Sequence, residues 1–344
     1  MNLNEFPLLE QTLLNDWQRG FPLCEQPFAE MARMAGVSEA VVLETLTRLQ
    51  ATGAIGRLGG VWGNGAGGAA MLCAMAVPPD DVERVARVIN EVPGVNHNYE
   101  REHAFNLWFV ITGGGRDAIH LEVDAIERRA GYPALRLPMV RSYAIDLGFD
   151  MRGPAAARTG DRPGSSRAAR RVSTEDRPLA ALLEAGIPLV SRPFDAWASE
   201  LDQPVSQVLA MLGQWLERGT LRRLGVIVRH HDVGIAANAM TVLDVPEDAV
   251  DATGARLARE PGVTLCYQRQ RAEGWPYNLY VMVHGAHRRD VQQRIDEALA
   301  AAGADAWPRE TLFSGRRFKQ TGGRYFSAPA QAQCSEEAAH ACAL

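Results

Sequence analysis

The chain is written twice. Gly20-Phe21-Pro22-Leu23 returns as Gly186-Ile187-Pro188-Leu189, and the same offset pairs Pro27-Phe28 with Pro193-Phe194, Gly53 with Gly219 and Arg57-Leu58-Gly59 with Arg223-Leu224-Gly225. After a two-residue slip, Val77-Pro78 pairs with Val245-Pro246, Pro93-Gly94-Val95 with Pro261-Gly262-Val263, and Tyr99 and Arg101 with Tyr267 and Arg269. A repeat of this length restricts the fold to two copies of one unit. The exceptions to it are informative: His97 and His103 face Leu265 and Arg271. A folding constraint acts on both copies alike, so imidazoles kept in one copy point to work done by one half.

Within each copy the pattern changes period once. Helical spacing over Leu8 to Trp17, from Pro27, and over Ser38 to Gln50 recurs over Leu179 to Ala185, from Pro193, and over Val205 to Glu217, with Gly53 and Gly219 as helix stops. Ile55-Gly56-Arg57-Leu58 and Leu221-Arg222-Arg223-Leu224 then enter a β-ribbon, which makes a winged helix-turn-helix of each opening segment. The next stretch alternates as strand Met71–Val77, helix Asp80–Glu91, strand Val95–Arg101, strand Phe105–Ile111, helix Arg116–Arg129 and strand Leu135–Leu147. That βαββαβ order predicts a ferredoxin-like domain with an antiparallel four-stranded sheet, and copy two repeats it from Asn238 to Lys319. The extra residues between Arg271 and Tyr277 fall at a hairpin tip, where insertion is tolerated.

The expected class is α+β, a tandem repeat divided as winged helix 1–62, ferredoxin-like 69–150, linker 151–173, winged helix 174–230 and ferredoxin-like 236–326. The linker is rich in Arg, Ala, Gly, Ser and Pro, and the copies are expected to be joined by it, not intertwined. Residues 327–344 read as a disordered tail. Gly59 to Gly68 holds six glycines but lacks the Gly-Lys-Ser/Thr ending of a phosphate loop, leaving a mobile inter-domain loop, a lid or a plain linker. His230-His231 falls in the expected wing, where adjacent side chains diverge, so a loop pair is preferred to a metal site.

Composition removes several classes of function. No apolar run approaches the ~20 residues of a membrane span, and the N-terminus lacks a signal-peptide pattern, so a cytoplasmic protein is expected. Five cysteines form no C-x-x-C pair, which argues against a disulfide framework or a zinc site. The net charge of −5 gives no general attraction to nucleic acid. Lys319 is the one lysine against 35 arginines, so a protein Schiff base could form nowhere else.

Winged helix followed by ferredoxin-like domain resembles the Lrp/AsnC family of transcription regulators over most of each copy. The third helices do not follow it: SEAVVLETLTRLQ sets Glu39 and Glu44 against Arg48, and VSQVLAMLGQWLE has no basic residue to offer phosphate. The resemblance narrows at the segment His97 to Phe109, which is similar to the HNYxRxHxFNLWF signature of the sirohaem decarboxylases, tetrapyrrole enzymes of Lrp/AsnC architecture. Cys266-Tyr267-Gln268-Arg269, Trp275 to Tyr280 and Arg316-Arg317-Phe318-Lys319 resemble the partner subunit of such enzymes, so the whole is similar to their fused two-subunit form on the way to haem d1.

The resemblance implies sirohaem as substrate and loss of two acetate carboxyls as CO2, giving 12,18-didecarboxysirohaem. The residues suit this chemistry independently. Alternate strand residues share a face, so His97, Tyr99 and Arg101 project together across ~13 Å, enough for a broad polycarboxylate. Decarboxylation needs an electron sink, which the macrocycle itself provides, so no protein cofactor and no protein metal are expected; iron enters with the substrate. The protein must supply a proton and cations, roles suited to histidine and arginine. His97 and His103 are the candidate acid/base residues; Tyr99, Arg101, Trp108, Arg269, Arg271 and Lys319 are the candidate substrate-binding residues.

Tyr99, Arg101 and Asn106 match residues of copy two, so a shared packing role stays open beside ligand contact, as do a core role for Trp108 and a solvated edge for Lys319 and Arg317. The expected assembly is an intrachain pseudo-dimer, with a homodimer of chains also open, and no nucleic-acid or membrane partner. Two alternatives of other classes remain, a tetrapyrrole-responsive regulator and a haem carrier.

Overall fold

The computed structural model describes residues 6–63, 65–145, 169–228 and 237–326. His230-His231, most of the linker and the 327–344 tail lie outside the described residues. Each copy opens with three helices: α1 (Leu8–Asn15), α2 (Pro27–Ala35) and α3 (Glu39–Ala51), then later α6 (Arg177–Ala185), α7 (Pro193–Glu200) and α8 (Val205–Glu217). Their starts follow from the sequence. Pro27 and Pro193 occupy first-turn positions where no amide hydrogen is needed, and the Ser38 hydroxyl accepts from the Val41 amide to cap α3. The six helices share one core, in which Phe28, Leu46, Leu183, Phe194 and Leu212 are fully buried.

The expected wings are not separate hairpins. Strand β1 (Ile55–Trp62) of copy one pairs antiparallel with β6 (Leu221–Val228) of copy two, so one two-stranded ribbon joins the helical halves. Nor is the glycine-rich segment a lid. A Cβ on Gly63 would stand 2.3 Å from the Gly219 carbonyl oxygen, and one on Gly68 would stand 2.1 Å from that of Gly113. These glycines permit backbone to pass against backbone.

The ferredoxin-like order appears twice: β2 (Ala69–Met75), α4 (Val82–Asn90), β3 (Val95–Arg101), β4 (Leu107–Gly113), α5 (Arg116–Ala130), β5 (Ala134–Ile145), and β7 (Ala237–Leu243), α9 (Val250–Leu257), β8 (Val263–Arg269), β9 (Leu279–Gly285), α10 (Arg288–Ala301), β10 (Arg309–Gln320). Here the expectation of separate four-stranded sheets fails. Strands β5 and β10 are 12 residues long, and each runs past its own sheet to pair with the other copy, β5 with β8 and β10 with β3. The result is one closed barrel, β10-β3-β4-β2-β5-β8-β9-β7. Closure pairs the edge strands that two separate sheets would leave exposed. The copies are intertwined after all.

Helices α4, α5, α9 and α10 pack outside the barrel, giving each copy its own apolar layer. The lumen holds a third cluster with Leu72, Ala74, Trp108, Leu137, Met240, Val242, Tyr280, Leu312 and Trp275. Trp275 belongs to the insertion between Arg271 and Tyr277. Instead of a tolerated loop, the insertion forms a tight turn with Gly274 at φ +71° that folds Trp275 into the lumen, 2% exposed. Its indole nitrogen donates to the Tyr280 hydroxyl at 2.8 Å. Trp275→Phe removes that donor and part of the ring, and is expected to cost ~1–2 kcal/mol, read as a lowered denaturant midpoint at unchanged slope.

The C-terminal boundary of the expected linker moves inward. Val172 is buried in the helical core, and its amide donates to the Ala66 carbonyl. At the other end, residues 321–326 cross from barrel to helices: the Thr321 amide donates to Asn96, and those of Tyr325 and Phe326 donate to the buried Glu184 carboxylate.

Candidate active site

Strand β3 carries the expected row, and register fixes where it points. His97 is paired with Val110 and Tyr99 with Trp108, while Arg101 donates to the Leu312 carbonyl at 3.0 Å, so all three face the lumen. The intervening Asn98 turns outward, where it donates to Asn90 and to the Ala86 carbonyl. The His97 and Tyr99 rings stack with centroids 6.1 Å apart. Burial pulls His97 down to about 4 and pushes the Tyr99 phenol up to about 12. His97 is therefore neutral near pH 7. Asn96 Oδ1 lies 2.8 Å from Nδ1, which assigns the hydrogen to Nδ1 and leaves the Nε2 lone pair open.

A neutral buried imidazole also links stability to pH. Its folded pKa lies below the ordinary 6.5, so between about 6.5 and 4 the unfolded chain binds the extra proton, and stability falls as pH falls through that window. The full cost is up to about 3 kcal/mol. Melting temperatures of the parent and of His97→Gln, compared from pH 7 to 4, should move against the parent; a constant difference would show that His97 is not buried in its neutral form.

The pseudo-symmetric position on β8 completes the lumen. Arg269 donates to the Leu137 carbonyl at 2.9 Å, the counterpart of Arg101 on Leu312, and lies over the rings of Tyr267 and Tyr280 at 5.4 and 5.6 Å. Arg101 is buried and Arg269 half-buried with its Nε enclosed, and burial pulls Arg101 down to about 10 and lowers Arg269. Nε of each is buried without a hydrogen-bond partner. Among the described residues no carboxylate reaches either one. Two uncompensated cations held in an apolar barrel are costly unless an anion joins them.

Other candidates lie elsewhere. His103 follows the end of β3 at the hairpin tip, beyond Arg101, and does not meet His97. Its Nδ1 accepts from the Phe105 amide at 2.9 Å, its Nε2 donates to Glu310 at 2.6 Å, and its ring meets Trp275 edge-on at 5.4 Å. Glu310 also accepts from Tyr277 at 2.9 Å. Arg271 is engaged outside the lumen by Asp244, Glu247 and the Pro276 carbonyl, where it fastens the hairpin. Lys319 turns to the helix side and donates to the Asn90 and Val92 carbonyls, satisfying the end of α4. Trp108 forms the lumen floor with Trp275, their rings 5.3 Å apart. Trp275 was not among the residues expected to bind substrate; a large aromatic in a hairpin insertion was the available signal. A cavity of about 380 Å³ between the helical halves, lined by Thr47, Arg57 and Pro188 among others, contains none of these residues.

Among the described residues no group of three or more His, Cys, Asp or Glu could hold a metal ion, and no helix is long and apolar enough to cross a membrane. The thiols of Cys73 and Cys266 are buried and pushed up by that burial.

A paired helical head over a barrel of two ferredoxin-like sheets is an Lrp/AsnC-like architecture. The chain matches the AsnC-like ligand binding domain over residues 66–143 and 232–319, and the siroheme decarboxylase NirDL-like HTH domain over 10–55 and 176–222. It is 39% identical to the siroheme decarboxylase NirDL subunit of Paracoccus denitrificans (strain Pd 1222) over 91% of this chain and 96% of that one. It is 32% identical to the siroheme decarboxylase of Hydrogenobacter thermophilus over 94% and 96%. The crystal structure of the siroheme decarboxylase NirDL superposes with a TM-score of 0.64 at 28% identity, covering 93% of this chain and 94% of that one. The same enzyme in co-complex with an iron-uroporphyrin III analogue gives 0.62 at 28% identity, covering 95% of each. The chain belongs to the siroheme decarboxylase NirDL family.

Proposed function

We propose that the chain decarboxylates sirohaem, removing two acetate carboxyl groups to give 12,18-didecarboxysirohaem. The observation that carries this reading is the pair Arg101 and Arg269, cations awaiting anions on opposite walls of one lumen. A planar ligand with carboxylates around its rim meets both at once, and a planar guanidinium seats carboxylate well.

Each decarboxylation breaks one carbon–carbon bond, leaves the electron pair in conjugation with the macrocycle and consumes one proton. The macrocycle is the electron sink, so no protein cofactor enters this scheme. His97 is neutral with Nε2 open, and carboxylates brought beside it raise its affinity for a proton. Binding thus loads the acid that the carbanion then discharges, leaving a methyl group. Tyr99 stays un-ionised and offers its hydroxyl as a hydrogen-bond partner. His103 serves as the second acid/base residue only after its bond to Glu310 is exchanged. Arg271 and Lys319, engaged elsewhere, act through the hairpin and through α4.

The helical head acts in joining the copies, with no nucleic-acid partner: both ribbon strands are spent on each other, and Arg48, the basic residue of α3, is bonded to Glu10. The working unit is one chain, as an intrachain pseudo-dimer. Anaerobic incubation of the purified protein with sirohaem, followed by mass measurement of the tetrapyrrole, should show loss of two carboxyl groups. Binding without mass change would point to a carrier instead.

A further inference from the structure

The two hairpin tips meet at one end of the barrel, and a single carboxylate holds both. The geometry points to Glu310 of copy two as the positioning residue for His103 of copy one, fixing its ring and its tautomer at the lumen rim. This rests on the sirohaem reading above, in which His103 is the second acid/base residue.

Side chains alternate along β10, so Glu310 projects on the same side as Leu312, which lies in the lumen cluster. Arg101 donates to the Leu312 carbonyl one step further in, and His103 follows Arg101 by two residues along the same seam. There Glu310 gives its two oxygens to two different hairpins. Oε2 accepts from His103 Nε2 at 2.6 Å, and Oε1 accepts from the Tyr277 hydroxyl at 2.9 Å. The bonds do not compete, and the phenol braces the carboxylate in the orientation that meets the imidazole. Across the ring, the Phe105 amide donates to Nδ1 at 2.9 Å, so the hydrogen sits on Nε2. A carboxylate on one ring nitrogen and an amide on the other fix both tautomer and ring plane. Phe105 stacks on the ring at 6.1 Å and Trp275 meets it edge-on at 5.4 Å, which leaves it little room to turn.

At the counterpart seam all three polar groups are replaced. Asn106 and Asn278 hold Val77 and Val245 through the same pair of bonds, which makes Phe105 the counterpart of Tyr277. Leu135 pairs with Ala74 as Glu310 pairs with Val242, and His103 faces Arg271 in the repeat. Carboxylate, phenol and imidazole therefore give way together to Leu135, Phe105 and Arg271. Arg271 ties its hairpin to Asp244 and Glu247 of its own copy, outside the lumen. This scaffold can thus fasten a hairpin without an imidazole–carboxylate pair across the copies. With the His103 and Glu310 side chains 20% and 41% exposed, the pair also adds little to stability. Its effect falls on the imidazole, whose N–H it keeps at the lumen rim for exchange onto a substrate carboxylate.

The test compares Glu310→Ala and Glu310→Gln in the full chain, each alone and combined with His103→Ala. Nitrogen NMR spectra of the unliganded protein, with the His103 resonances identified by their loss in His103→Ala, should show the Nε2–H tautomer in the parent. Glu310→Ala should show a mixture of tautomers. With sirohaem under anaerobic conditions, Glu310→Ala should slow single-turnover loss of carboxyl groups about 10-fold and leave KM within about two-fold of the parent. Glu310→Gln, whose amide oxygen still accepts from Nε2, should recover most of the rate. In the His103→Ala background Glu310→Ala should cost nothing further, because it acts through the imidazole. An unchanged tautomer and rate in Glu310→Ala overturn the inference, as does an equal loss with and without His103 or a loss that Glu310→Gln fails to recover; the sirohaem reading stands in each case. If His103→Ala alone turns over at the parent rate, Glu310 has no acid to position and the inference is overturned. If the parent binds sirohaem and removes no carboxyl group, the underlying reading fails and the inference falls with it.

Discussion

Arg101→Met should make the unliganded protein more stable and leave it unable to hold its substrate. Arg101 is 7% exposed, its Nε is buried without a partner, and its one short bond goes to the Leu312 carbonyl. A methionine of similar length fills the same space beside Met282 without a charge to desolvate. Replacing poorly compensated buried charge with apolar groups commonly stabilises by ~1–4 kcal/mol. The same change removes a charge-assisted contact to a carboxylate in a dry site, and ~3 kcal/mol there is ~100-fold in affinity. Thermal melts and absorbance titrations with sirohaem measure the two effects separately. A less stable variant that binds normally would reassign Arg101 to holding the β3–β10 seam.

His97→Ala should bind sirohaem within a few-fold of the parent and release carbon dioxide ~10³-fold more slowly, the scale on which a positioned acid contributes. Single-turnover experiments with mass detection separate the chemical step from binding. The parent should also take up a proton on binding sirohaem near pH 7, visible as a binding enthalpy that depends on the buffer, and His97→Ala should lose that uptake. The double variant His97→Ala, His103→Ala is the decisive control. Should it bind sirohaem and decarboxylate at the parent rate, neither imidazole is the acid.

Much of this was legible in the residues, because local spacing determines local structure. The limits of β3, Val95–Arg101, and of α8, Val205–Glu217, follow from alternation and from helical period, as does the shared face of His97, Tyr99 and Arg101. Contacts between the copies were not legible. Nothing in the alternation of β5 or β10 says that their far ends pair with β8 and β3, since an edge strand and a shared strand look alike in sequence. The same blindness placed Arg271 and Lys319 in the site. Their charge was visible, but Asp244, Glu247 and the carbonyls of α4 that engage them are brought close only by tertiary folding. His103 follows Arg101 by two residues, yet the strand ends between them, and the turn carries the imidazole to Glu310.

The shared strands have a consequence for anyone who would cut the gene in two. Expressed alone, the first copy would present the open edges of β3 and β5, and the second those of β8 and β10. Unpaired edges are templates for aggregation, so neither piece is expected to accumulate as a well-behaved monomer. Produced together, the pieces should find each other along both seams. Sequence boundaries and functional boundaries do not coincide here: the wall facing His97 is encoded near the far end of the message, and recombination between the repeats would exchange substrate contacts along with scaffold.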